Sequence, residues 1–168
     1  MGKKMIKRLI AGMLTAAVAI PTNFMPVQAA KQTAEDYVIY PTPHKMEYQE
    51  GDYILGKEMN VIYDTGIDEA TKDRLEEAAA LKDIKVKESD EPKKGATNVY
   101  VGVHGEDGKA EDYITKEYAP GDALFENTDS YFLASDENVI SVLGKDTDSA
   151  FYGLTTLYHV CLLYTSDA

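Results

Sequence analysis

The sequence has no tryptophan, a single cysteine and no basic surplus, since 29 acidic residues outnumber 17 lysines and arginines. Each shortage excludes something. One cysteine, Cys161, permits no intramolecular disulfide, so a packed core has to hold the fold. A net charge of −12 argues against nucleic acid and anionic membrane surfaces as partners, because both are polyanions. The missing tryptophan removes a ring on which sugar-binding surfaces often stack, and leaves 12 tyrosines as substitutes. Metal chemistry lacks its spacing: His44, His104 and His159 lie far apart, and no His-x-x-x-His or Cys/His pattern occurs. There is also no serine nucleophile elbow, phosphate-binding glycine loop or dinucleotide fingerprint.

What is present begins with a leader. "MGKKMIKR" supplies positive charge, "LIAGMLTAAVAI" is apolar, and "PTNFMPVQA" ends with Val27 and Ala29 at the −3 and −1 positions of a cleavage site. This is the plan of a secretory signal peptide over residues 1–29. Its apolar stretch of twelve residues is too short for a membrane anchor, which needs about 20. Cleavage after Ala29 removes four of the 17 basic residues and no acid, leaving 13 against 29 and a net charge of −16. The expectation is a secreted or cell-surface bacterial protein with no membrane contact once the leader is gone.

Along the mature chain, "YVIYPTPHKMEYQEGDYILG" holds three short extended pieces, Tyr37–Tyr40, Lys45–Tyr48 and Tyr53–Leu55. The prolines forbid a helix and "QEGD" signals a hairpin turn. "EMNVIYD" reads as a strand. "TGIDEATKDRLEEAAALKDI" switches to helical spacing, with Ile67, Ala70, Leu75, Ala78 and Ala79 on one stripe and acids at its start. "IKVKES" returns to strand alternation, and "TNVYVGVHG" places Val99, Val101 and Val103 on one face. A short helix follows around Ala110–Glu117, then a hairpin of Tyr131–Ala134 and Val139–Leu143, then a last helix. This order predicts an α+β fold in which helices pack on one face of a mixed β-sheet.

Several residues invite a chemical role. Asp146 and Asp148 open a D-x-D pattern, but the sixth and twelfth places of a Ca²⁺ loop would be Phe151 and Leu157 instead of Gly and Glu. They are read as caps of the last helix, whose face is formed by Ala150, Phe151, Leu154, Leu157 and Tyr158. Adjacent acids such as Asp68-Glu69, Glu106-Asp107 and Glu111-Asp112 resemble carboxylate pairs of a hydrolase. Seven such pairs occur, close to the chance number of about five for 29 acids in 168 positions, so they are read as solvated surface. The three histidines are read as partly buried structural residues. No residue is assigned a catalytic, cofactor-binding or metal role.

The segments "VIYPTPHKMEY", "NVYVGVHG" and "DSYFLASDENVISVLGKDTDSAFYGLTTL", in that order, resemble the N-terminal accessory domain of secreted bacterial β-N-acetylglucosaminidases of glycoside hydrolase family 84, the hyaluronidase and O-GlcNAc-hydrolase group. A looser similarity reaches the matching domain of family 20 β-hexosaminidases. The likeness covers about Tyr37 to Tyr158 and implies an accessory domain over residues 30–160. It also implies a parent enzyme that removes N-acetylglucosamine from glycans or glycoproteins, with the substrate's acetamido group as nucleophile. The family's carboxylate pair belongs to a following (β/α)₈ barrel of about 250 residues, absent here, so no catalytic residue maps onto this sequence. That barrel is the implied partner, together with N-acetylglucosamine-containing glycans. The closing "CLLYTSDA" departs from the family pattern and resembles translated adapter sequence, so residues 161–168 are expected to be a non-native tail. Two other readings stay open: a free-standing secreted module binding glycans through tyrosines, and a structural spacer.

Overall fold

The computed structural model describes residue 39, residues 42–47 and residues 55–163, with side chains as far as Cys161. The expected leader lies outside these residues, as do the "QEGD" hairpin turn and all of Tyr37–Tyr40 except Ile39. Of the expected strand Lys45–Tyr48, the described part, Lys45–Glu47, forms no strand. Its side chains are all exposed, so there is no buried face to fix a pleat.

From Leu55 onward the order is β1 (Glu58–Tyr63), α1 (Glu69–Ala80), β2 (Lys85–Glu88), β3 (Thr97–Val103), α2 (Lys109–Tyr118), a 3₁₀ turn (Asp122–Glu126), β4 (Tyr131–Asp136), β5 (Val139–Gly144) and α3 (Thr147–Leu163). The five strands form one sheet in the order β2-β1-β3-β5-β4. The first four run parallel, and β4 returns antiparallel along the edge of β5. The α+β class and the mixed sheet are as the sequence predicts.

The helices divide between the two faces. Leu75 and Ala79 of α1 share a core with Ala150, Leu154 and Leu157 of α3 and with Val61, Val99, Val101 and Val142 of the sheet. On the opposite face Ala110 and Ile114 of α2 and Phe125 pack on Ile62, Tyr100 and Leu143. The expected one-sided arrangement therefore holds for α1 and α3 but not for α2. The cause is visible in β3, whose seven residues are all buried: a parallel strand that is apolar on both faces needs cover on both.

Local chemistry sets the helix boundaries. Asp68 caps α1, its side chain accepting from the Thr71 amide at 2.9 Å. Within α1 the buried positions include Thr71 where Ala70 was expected; Ala70 is exposed. α3 buries Ala150, Leu154, Leu157 and Cys161, spaced for a single stripe. A Cβ added at Gly153 would stand 2.7 Å from Val142 Cγ1, so glycine there lets α3 lie close on β5.

Candidate functional site

At the carboxyl ends of β1 and β3 the chain leaves the sheet towards opposite faces, from β1 to α1 and from β3 to α2. Such divergence opens the crevice that parallel sheets commonly use for ligands. Here that position is filled by Asp64, directly after β1 and 4% exposed. Asp64 Oδ1 accepts from the Ala110 amide at 2.8 Å and Oδ2 from the Glu111 amide at 3.0 Å. Both donors belong to the first turn of α2, whose own cap position, Gly108, has no side chain to offer. Asp64 is thus a cap delivered from another element, satisfying donors that would otherwise be buried and unpaired. Glycine makes the approach feasible: a Cβ at Gly102 or Gly108 would meet Asp64 atoms at 2.3 or 2.0 Å.

Burial raises the Asp64 carboxyl above its ordinary range; the two backbone donors oppose this, while neighbouring Glu111 and Asp112 add to it. Glu111, itself buried, accepts from the Gly105 amide at 2.5 Å and from the Asp107 amide at 2.9 Å, closing the loop between β3 and α2. His104 Nδ1 lies 3.2 Å from Glu111 Oε1. The ring is not aligned to donate, and Nδ1 has no hydrogen-bond partner among the described residues. The imidazole stacks instead on Phe125, with ring centroids 4.2 Å apart.

The residues singled out from the sequence do not converge. His44 is exposed, His104 sits in this cluster, and His159 is half-buried against the Tyr158 ring. Asp146 caps α3: its Oδ1 accepts from the Ser149 amide at 2.8 Å and from Ser149 Oγ at 2.6 Å. Those two bonds hold its carboxyl below the usual carboxylate range. Asp148, also expected to cap, is exposed inside the first helical turn and takes no part in that contact. Phe151 and Tyr158 are half-buried instead of core residues, and both rings face the Arg74 guanidinium, at 4.8 and 5.5 Å. The expectation that packing ends near Tyr158 is also corrected, since Cys161 is 5% exposed and belongs to the core beneath α3. A helical stripe repeating at every third or fourth residue reaches position 161 one turn later.

Sequence reasoning missed Asp64, and it read Glu111 of the Glu111-Asp112 pair as solvated surface, whereas Glu111 is buried by its bonds to the Gly105 and Asp107 amides. The available signal for Asp64 was an acid placed directly after the apolar run "NVIY", where a surface carboxylate gains nothing. Three of the tyrosines offered as a sugar surface, Tyr100, Tyr113 and Tyr118, prove to be packed. Tyr100 and Tyr113 stack on each other at 3.9 Å, and Tyr118 tilts against Phe132. Burial pushes the Tyr113 hydroxyl up to about 12. Two shallow depressions found among the described residues lie at the other end of the sheet, around Lys57, Ile84 and Lys85. The carboxylates at the strand ends are committed to backbone N–H groups, an arrangement that holds a fold together.

Residues 36–161 match the family model described as glycosyl hydrolase family 20, domain 2. The chain belongs to that family. Among solved structures it is similar to "Structure of CpGH84D", with 42% identity and a TM-score of 0.72 over 76% of this chain. It is also similar to "Structure of CpGH84B", at 24% identity and a TM-score of 0.57 over 73% of this chain, a likeness of fold. These findings agree with the resemblance to family 84 and family 20 accessory domains. No curated protein matches. This family 20 domain 2 spans only 21% and 19% of those two solved chains.

Proposed function

We propose that this chain is the non-catalytic N-terminal domain of a secreted glycoside hydrolase that removes N-acetylglucosamine from glycans or glycoproteins, truncated ahead of its catalytic (β/α)₈ barrel. The observation that carries the reading is the CpGH84D likeness: 42% identity over 76% of this chain accounts for 21% of that one, leaving most of the longer chain to other domains. The chemistry of the fold supports it. Glycosidic cleavage uses two carboxylates facing each other across an open site, one of them kept protonated. Asp64 and Glu111, the buried acids among the described residues, accept from backbone amides at four points, two in the loop before α2 and two in its first turn, so they serve the fold's own donors. Export rests on the leader pattern of residues 1–29.

The decisive experiment reads the genomic frame beyond codon 160 and assays purified residues 30–161 with an aryl N-acetylglucosaminide. The expected outcome is a barrel-encoding continuation and no turnover by the isolated domain. Turnover above buffer that disappears on mutating a carboxylate of this domain would overturn the reading. A native stop codon after the domain would favour a free-standing module. Sequencing the N-terminus of exported material tests the leader, with Ala30 as the expected first residue.

A further inference from the structure

The basic residues are unevenly placed. Of the eleven between positions 55 and 163, six lie at positions 57, 82, 85, 87, 93 and 94, in β2 or in the segments that lead into β1, β2 and β3. Lys87 and Lys93 share one counter-charge, Glu58. Lys57, Lys82 and Lys85 pair with no carboxylate among the described residues. On a chain with 29 acids a counter-charge is easy to place, so three bare ammonium groups at one end of the sheet need a reason. Backbone bonds fix where they stand. The Lys85 amide donates to the Lys57 carbonyl at 3.1 Å, which sets those two residues side by side at the heads of β2 and β1. The Lys82 and Ile84 amides both donate to the Ala79 carbonyl, at 3.0 and 3.1 Å, and so close the turn from α1 to β2. Two shallow depressions run between these lysines and meet at Ile84. One is lined by Leu55, Gly56, Lys57 and Lys82, the other by Lys85, Val86, Lys87 and Glu76. Ile84 is 8% exposed and Leu55 packs on the same core, so an apolar floor lies beneath a largely cationic rim.

Lysine on an edge strand guards against stray strand pairing, which accounts for Lys85 and Lys87 of β2. It does not account for Lys57, which precedes β1, or for Lys82, which follows α1. We infer that the end of the domain formed by Lys57, Lys82 and Lys85 is a binding subsite for an acidic glycan. The three ammonium groups take carboxylates or sulfates carried on the sugar, and Leu55 and Ile84 take the apolar face of a ring. The inference rests on the function proposed above only in choosing a sugar as the carrier of the anion. Charge selects the same carrier independently. A densely charged polyanion such as duplex DNA or an anionic membrane is repelled by the net charge of −12, whereas the field of a few lysines reaches a sparsely charged chain within the screening length of about 8 Å. The depressions are open and joined end to end, which suits a length of chain more than an enclosed small molecule.

Binding of the 168-residue chain to polygalacturonate oligomers, which carry carboxylates, and to dextran sulfate oligomers tests this, with neutral dextran and duplex DNA of similar length as controls. At least one acidic glycan should bind, more weakly as salt rises, and which one binds names the anion. The triple variant K57Q/K82Q/K85Q should lose roughly tenfold in affinity, the scale of three exposed ion contacts. The triple variant K109Q/K116Q/K145Q makes the same change of charge elsewhere and should lose less than about twofold. Should the first variant melt early, K57Q/K85Q alters only exposed side chains and should lose about fivefold. Binding to neither acidic glycan, equal losses in the two triple variants, or equal affinity for neutral dextran or duplex DNA overturns the inference and leaves the functional reading untouched. A parent gene without a barrel removes the functional reading and leaves the measured binding in place.

Discussion

α1 and α3 lie side by side on the same face of the sheet and reach the core by the same rules. Each starts on an aspartate cap, Asp68 or Asp146, whose carboxyl is held low chiefly by hydrogen bonds from Thr71 or Ser149. Each buries one stripe in the shared core, and Thr71 Oγ1 and Thr147 Oγ1 meet at 3.2 Å where the two helices begin. They part company on the outside. α1 covers itself with ion pairs, Lys72 with Glu69 and with Glu88 of β2, and Arg74 with Glu77. α3 has a half-buried aromatic and hydroxyl surface and one carboxylate. The buried stripe shows that a helix belongs to this domain. Arg74 joins the two regimes, its guanidinium lying over the Phe151 ring while pairing with Glu77.

The comparison is sharpest at the two fully buried leucines, Leu75 in α1 and Leu154 in α3, both 0% exposed. Leu75→Ala and Leu154→Ala should each cost about 2–5 kcal/mol in urea unfolding, the range for a core leucine with partial collapse of the cavity. A loss at Leu154 far below that at Leu75 would mean α3 is only loosely seated.

Cys161 comes next. The thiol is buried and its pKa pushed up by that burial, with Lys82 opposing weakly. Cys161→Ser should lose roughly 1–3 kcal/mol by placing a hydroxyl without a designed partner among apolar side chains. The native thiol should react slowly with a disulfide reagent in the folded protein and rapidly in urea. Equal rates in both conditions would show that the α3 stripe ends before residue 161.

Phe151→Ala should cost less, about 1–2 kcal/mol. The sequence read alone places Phe151 in the core, where truncation costs about 3–5 kcal/mol. Its ring instead lies half-exposed over Arg74 and contributes a cation–π contact worth about 0.5–1 kcal/mol plus partial burial. A full core-sized loss would return Phe151 to the interior and leave Tyr152 as an isolated exposed ring.

These outcomes bear on how much of the molecule is legible in sequence. Periodicity located α1, β3, the β4–β5 hairpin and α3 because each buries a stripe or face that the pattern displays directly. It misjudged the edges of those stripes, Ala70 for Thr71 and Phe151 for Cys161. A rotation of a few tens of degrees about a helix axis changes which flanking residue is covered, and neighbouring helices decide it. The side taken by α2 was readable in part, since "TNVYVGV" lacks the polar alternation of a sheet open to water on one face. Asp64 was not readable as a cap. The amides that it satisfies, at Ala110 and Glu111, are more than forty residues away, and only the folded chain brings the end of β1 to the start of α2.

The smallest effects separate the two aspartates that open α3. Asp146→Ala should cost about 1 kcal/mol, since Asp146 alone accepts from the Ser149 amide and hydroxyl. Asp148→Ala should stay within about 0.5 kcal/mol, because an exposed first-turn acid gains only a screened attraction to the helix dipole. Acid titration gives the independent readout. The folded-state carboxyls of Asp68 and Asp146 lie below their unfolded values, so the stability they contribute is present above the ordinary carboxylate range and is lost as pH falls through the folded values. Asp64 lies above its unfolded value, so its contribution has the opposite sign: present at low pH, and lost as pH rises through the folded value. Thermal melts between neutrality and about pH 3 should therefore fall less steeply in Asp146→Asn than in the native chain. If Asp146→Asn leaves the profile as steep as in the native chain, the cap has been assigned to the wrong residue.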